Sequence, residues 1–131
     1  MTYKSPRRKL QDKLAKECMD LWQQIVKKRA KYKCEITGQK GVIHAHHIWH
    51  RRNFPILRYN PHNGVCLHKD EHYRLHKQGE GELMGVLIKQ RGQQWFDDIM
   101  ETKRNNEGYQ YTVEILQGIK IGLETMLKGI K

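Results

Sequence analysis

The sequence predicts an α+β fold in which a short two-stranded hairpin and the helix after it are enclosed by longer helices. Three observations predict this. Apolar residues recur at three- and four-residue steps near both ends of the chain, as one face of a helix requires. Between them lie apolar runs too short for helices, separated by a loop rich in Asn and Pro. All eight histidines fall between His44 and His76, in the part that reads as strands and a short helix.

Residues 1–8 read as a basic arm, with Pro6 placed either to open a helix or to break one. From about Lys9 to Lys31 the residues Leu10, Leu14, Cys18, Leu21, Trp22, Ile25 and Val26 form one apolar stripe. Lys27, Lys28, Arg29, Lys31 and Lys33 crowd its end. Cations suit a helix C-terminus, but five in seven residues exceed what a cap needs and point to phosphate contact. Residues 34–41 read as a turn. Val42, Ile43, Ala45 and Ile48 then predict a strand, with His44 and His46 on one face and His47 on the other. A loop runs from Arg51 to Asn63. Val65, Cys66 and Leu67 predict a second strand, and Lys69 to Lys77 a helix with Asp70 and Glu71 in its first turn and Gly79 and Gly81 ending it. Leu83, Val86 and Leu87, then Trp95, Phe96, Ile99 and Met100, make two stripes divided by Gly92. Val113, Leu116, Ile119, Leu123, Met126, Leu127 and Ile130 fit a last helix. Gly118 and Gly122 lie four apart on it, a spacing that either admits another helix, such as that of a second copy in a homodimer, or merely weakens this one.

The 131-residue chain carries 25 Lys and Arg against 14 Asp and Glu, a net charge of +11. The excess is one-sided. Residues 1–59 hold 15 basic and 4 acidic side chains, whereas residues 60–131 hold 10 of each. A one-sided positive field attracts polyanions, DNA foremost, more readily than it serves as an inert soluble surface. Three cysteines without paired spacing imply free thiols and a reduced, cytoplasmic setting. No stretch approaches the ~20 apolar residues of a membrane span, and the basic N-terminus is unlike a signal peptide. A membrane partner and a small-molecule substrate are not expected.

The histidine spacing suggests chemistry. His72 and His76, four apart on a helix, share a face and can chelate one ion. The strand carrying His46 is the evident source of a third ligand. Adjacent residues on a strand point to opposite faces, so one of His46 and His47 can bind metal while the other reaches solvent or substrate. Such a division suits metal-assisted phosphodiester hydrolysis, in which an ion stabilises charge and a separate imidazole takes a proton from water.

The stretch from Cys34 to His76 resembles the HNH nuclease family, whose core is the ββα-metal finger. The resemblance covers about a third of the chain and rests on the pair His46-His47, Asn63, His72 and His76. It implies an α+β fold with an HNH core at residues 34–78, a basic N-terminal arm and helix at 1–33, and a helical part at 79–131, together forming one domain. It implies that His46, His72 and His76 bind one divalent metal, that His47 is the general base, and that Asn63 braces the loop bearing the base or, in some members, helps bind metal. His50, Arg51 and Arg52 join Lys27, Lys28, Arg29, Lys31 and Lys33 as phosphate-contact candidates, since Arg holds phosphate by paired hydrogen bonds. Three imidazoles suit Zn, Ni or Mn better than Mg, although family members often act with Mg or Mn. The flanks have a looser likeness to HNH proteins of bacteriophage, including the NinG-like recombination proteins, which would place the protein in a bacterial or phage-infected cell.

Many HNH proteins hold a structural zinc on two Cys-x-x-Cys pairs. Here those positions read Cys34 and Thr37, then His68 and Glu71, and no structural zinc is expected. The implied activity is a metal-dependent DNA endonuclease, nicking or cutting. The rival reading is a non-catalytic metal-containing module that binds nucleic acid. The adjacency of His46 and His47 speaks against it, because both cannot reach one ion.

Overall fold

The computed structural model describes residues 3–78 and 81–131, apart from the side chains of His76 and Gln78. Among the described residues the fold is α+β: five helices and one two-stranded antiparallel hairpin.

Helix α1 spans Pro6–Arg29. It starts three residues earlier than periodicity predicts because Ser5 caps it, its hydroxyl accepting from the Arg8 N–H at 3.1 Å, and Pro6 occupies the first turn, where no N–H is needed. It ends before Lys31 and Tyr32, which both take positive φ. Strand β1 (Ile43–His47) pairs antiparallel with β2 (Gly64–His68), with His44 opposite Leu67, His46 opposite Val65 and His47 opposite Gly64. Two short 3-10 turns, Pro55–Leu57 and Pro61–Asn63, order the intervening loop. Strand β2 runs straight into α2 (Lys69–Gln78).

Gly81, expected to end that helix, instead opens α3 (Gly81–Arg91); Gly79 lies outside the described residues. The break expected at Gly92 is present, with φ +95° there and α4 (Gln93–Arg104) beyond it. Tyr109 and Tyr111 are in coil, and α5 (Val113–Gly129) is capped by Thr112.

The hairpin is packed on both faces, and every residue of β2 is buried. On one face Val65 and Leu67 join Leu75 of α2, Leu83 and Leu87 of α3, and Trp95 and Ile99 of α4. On the other, Cys66 packs against Trp22 and Val26 of α1. A further cluster, including Leu14, Cys18, Val113, Leu116 and Leu123, joins α1 to α5. Gly118 and Gly122, by contrast, have nothing beyond their own stretch of helix within 4 Å of the position a Cβ would take, so among the described residues no other helix of this chain approaches them.

The approach of α1 to β2 depends on Gly64. A Cβ there would lie 2.3 Å from Val26 Cγ2 and 2.9 Å from Trp22 Cζ2, so only glycine admits the helix this close. Arg29 fastens the same junction, donating to the carbonyls of Pro61 and Gly64 at 3.0 Å each.

Candidate active site

The site lies where the end of β1 meets α1 and α2. Alternation along β1 sends His44 and His46 toward α2 and His47 toward α1. His46 Nδ1 and His72 Nε2 stand 3.1 Å apart, with the rings edge to face. His44 is close by, its ring centroid 5.5 Å from that of His72.

His47 is held differently. Its ring lies flat on the indole of Trp22, 3.9 Å between centroids and 6° between planes. Its Nε2 is 2.9 Å from the Arg58 carbonyl oxygen. A carbonyl only accepts, so Nε2 must carry the proton and donate. In the neutral ring Nδ1 is then the atom with a free lone pair. Burial pushes the imidazole down to about 4, which the hydrogen bond to Arg58 only partly opposes. Trp22, stacked on the ring, is part of what keeps water from it, so the helix that shapes the core also contributes to the ring's charge state.

Asn63 is fully buried behind the loop. Its Oδ1 accepts from the Trp49 N–H at 2.8 Å, while its Nδ2 donates to the carbonyls of Trp49 (3.0 Å) and Leu57 (3.1 Å). Its own carbonyl accepts from the Ile48 N–H at 3.0 Å. One side chain thus ties together the start of the loop, its first 3-10 turn and the root of β2. Arg58, whose carbonyl aims His47, directly follows that turn.

A cleft of about 310 Å³ is lined by His46, His47, His50, Arg51 and His72, with Met19 and Gln23 of α1 on its far wall. His46 and His72 therefore share this cleft with His47, although they come from opposite faces of the hairpin. His76 lies one turn beyond His72 on α2; its side chain is outside the described residues. Among the described residues no group of three or more His, Cys, Asp or Glu side chains gathers in metal-binding geometry. The His46 and His72 nitrogens are at hydrogen-bond distance, 3.1 Å, which is also close to the spacing of two ligands on one ion. Metal–imidazole bonds of 2.0–2.1 Å in tetrahedral geometry place their nitrogens about 3.3 Å apart.

Comparison with known proteins finds no matching family model and no significant match among curated proteins or solved structures.

The remaining predicted residues divide. Arg51 and Arg52 are exposed, and His50 accepts from the Arg52 N–H at 3.1 Å. Lys27 falls one helical turn beyond Gln23, on the side of α1 that lines the cleft, and Lys28 is half-buried beside it. Lys31 and Lys33 lie beyond the helix end, and Lys33 is exposed. Arg29 has a different task, with both terminal nitrogens donating to main-chain carbonyls inside the fold. Trp49 turns away from the cleft toward Trp95 and Phe96. At the positions where many HNH proteins hold structural zinc, burial raises the Cys34 thiol but hydrogen bonds from Thr37 and the main chain of His68 outweigh it and lower its pKa; Glu71 pairs with Arg74.

Sequence reasoning missed Trp22, the Arg58 carbonyl and Gly64. Trp22 was legible only as a core residue. A carbonyl has no signature in sequence, and nothing in the residues around Gly64 shows that a helix from far up the chain packs on it.

Proposed function

We propose that the protein is a metal-dependent endonuclease of the HNH type that hydrolyses phosphodiester bonds in DNA. The observation that carries this is the division of labour in one cleft: an imidazole pair at ligand spacing, and a third imidazole held apart from it with its tautomer and orientation constrained. The excess of positive charge in residues 1–59, which supply all of the cleft lining but His72, supports a polyanionic substrate.

The chain's own residues supply most of the chemistry. His47, neutral above about pH 4, presents Nδ1 to accept a proton from water as the water oxygen attacks phosphorus and the ester bond to the leaving oxygen breaks. The Arg58 carbonyl steadies the imidazolium that forms, through the Nε2 hydrogen bond. Trp22 keeps the ring from turning, and Asn63 keeps the loop that carries Arg58 in place. His46 and His72, with His76 as the third candidate, would hold a divalent ion of the Mn, Ni, Zn or Mg class. Such an ion, when bound, stabilises charge on the phosphate and on the leaving oxygen.

The test is nicking of supercoiled plasmid across a series of Mn, Mg, Ni and Zn. His47→Ala should lower the rate by about 10²–10⁴-fold while leaving metal affinity unchanged. Cleavage by His47→Ala at the wild-type rate would remove the assignment of the base. Binding of DNA by the wild type without cleavage in any metal would favour the non-catalytic module.

A further inference from the structure

A second cavity, about 470 Å³, opens beside the histidine cleft and shares Met19 and Arg51 with it. Its wall brings together Lys16 of α1 with Arg51, Arg52 and Arg58 of the loop, over a floor that includes Met19 and Tyr59. Among the described residues none of the three arginines forms an ion pair with a carboxylate. Asp20 also lines the cavity but pairs with Lys16 at 3.4 Å. The Nε of Arg58 is buried without a hydrogen-bond partner, so part of that guanidinium's donor capacity is unused inside the fold. Three other arginines are committed, Arg29 to two carbonyls, Arg74 to Glu71 and Glu82, and Arg91 to Glu35, whereas Arg58 has the face of the Tyr111 ring, 5.7 Å from its centroid. Three guanidiniums without carboxylate partners, converging on one concave and partly apolar surface, are an anion site, and their planar forks match phosphate oxygens.

We propose that this cavity is a nucleotide subsite. Arg51, Arg52 and Arg58 grip the backbone phosphate next to the one in the histidine cleft, and the sugar of that nucleotide lies over Met19 and Tyr59. Arg51 spans both cavities and sets the register between them. Arg58 thus belongs to both features, its carbonyl meeting His47 and its side chain lining this cavity. The placement beside the cut rests on the nuclease reading, whereas recognition of the phosphate does not.

The experiment separates the two. Binding of a short labelled DNA duplex is measured by fluorescence anisotropy in EDTA, over a salt series, using the whole 131-residue chain. Arg52→Gln should weaken binding about tenfold at moderate salt and reduce the slope of log affinity against log salt by about 1. Arg52→Glu should weaken it further. Arg58→Gln should match Arg52→Gln, with thermal melting measured alongside; if Arg58→Gln melts early, the exposed Arg52 decides the outcome. In plasmid nicking, Arg52→Gln should raise KM while kcat falls less than threefold. Unchanged affinity and salt slope in both Arg52 variants would overturn the subsite even if the enzyme cuts DNA. Weakened binding with the predicted slope would sustain phosphate recognition even if wild-type protein cuts nothing.

Discussion

Replacing Gly64 with alanine tests whether the core and the candidate base are one construction. The added Cβ would meet Val26 Cγ2 at 2.3 Å and Trp22 Cζ2 at 2.9 Å, well inside the ~3.5 Å at which carbon atoms settle. Neither neighbour can yield easily. Val26 is fully buried and, being β-branched in a helix, has essentially one rotamer. Trp22 is clamped between the His47 ring and the Asn60 carbonyl, which its indole N–H reaches at 2.9 Å. The helix must retreat instead. Overpacking of this kind costs about 1–3 kcal/mol. With an unfolding entropy of about 2.1 cal/mol/K per residue over 131 residues, the melting temperature should fall by roughly 4–11 °C. A retreat of about 1 Å also takes Trp22 off His47, and misplacement on that scale costs about 10²-fold in rate. Metal affinity should be unaffected. The assays are thermal denaturation and plasmid nicking on the same preparation. The double variant Gly64→Ala/Val26→Ala, which removes the closer of the two clashes and leaves that with Trp22, should regain part of the rate. Melting within about 1 °C of wild type together with full activity would show that α1 does not press on β2 as described.

Other outcomes follow from the same geometry. Asn63→Ala should cost about 3 kcal/mol in urea denaturation, because it strands the Trp49 N–H and the Trp49 and Leu57 carbonyls; a loss below about 0.5 kcal/mol would mean water replaces them without penalty. His72→Ala should weaken binding of Ni or Zn at least tenfold by calorimetry, and unchanged affinity would count against His72 as a ligand. Cys18 and Cys66, whose thiols burial pushes up to about 11, should not react with a thiol reagent at pH 8 until the protein unfolds; fast labelling of either in the native state would contradict their place in the core.

Much of the fold was legible because it is local. Helix periodicity located α1 and α5, two short apolar runs located β1 and β2, and the strand period alone separated His46 from His47. The Asn63 position was found by resemblance, but its three side-chain hydrogen bonds were not. The N-terminal boundary of α1 was missed because a Ser5 cap followed by proline outweighs the position of the first apolar residue. Gly81 was misjudged because glycine before a helix and glycine after one look alike when two helices are separated by only a few residues.

By itself the sequence determined the order of elements, the one-sided charge and the set of imidazoles, since periodicity and composition are properties of neighbours along the chain. Tertiary structure decided what each group can do. It set Trp22 of α1 against His47 of β1 and turned the Arg58 carbonyl onto the same ring. It committed Arg29 to the interior, and it gathered Lys16, Arg51, Arg52 and Arg58 around one cavity. Those choices arise where helix, loop and strand close on one another, through contacts between distant residues that local pattern does not encode. Gly64 marks the point where they meet: the missing side chain lets α1 approach β2, and that approach buries the imidazole.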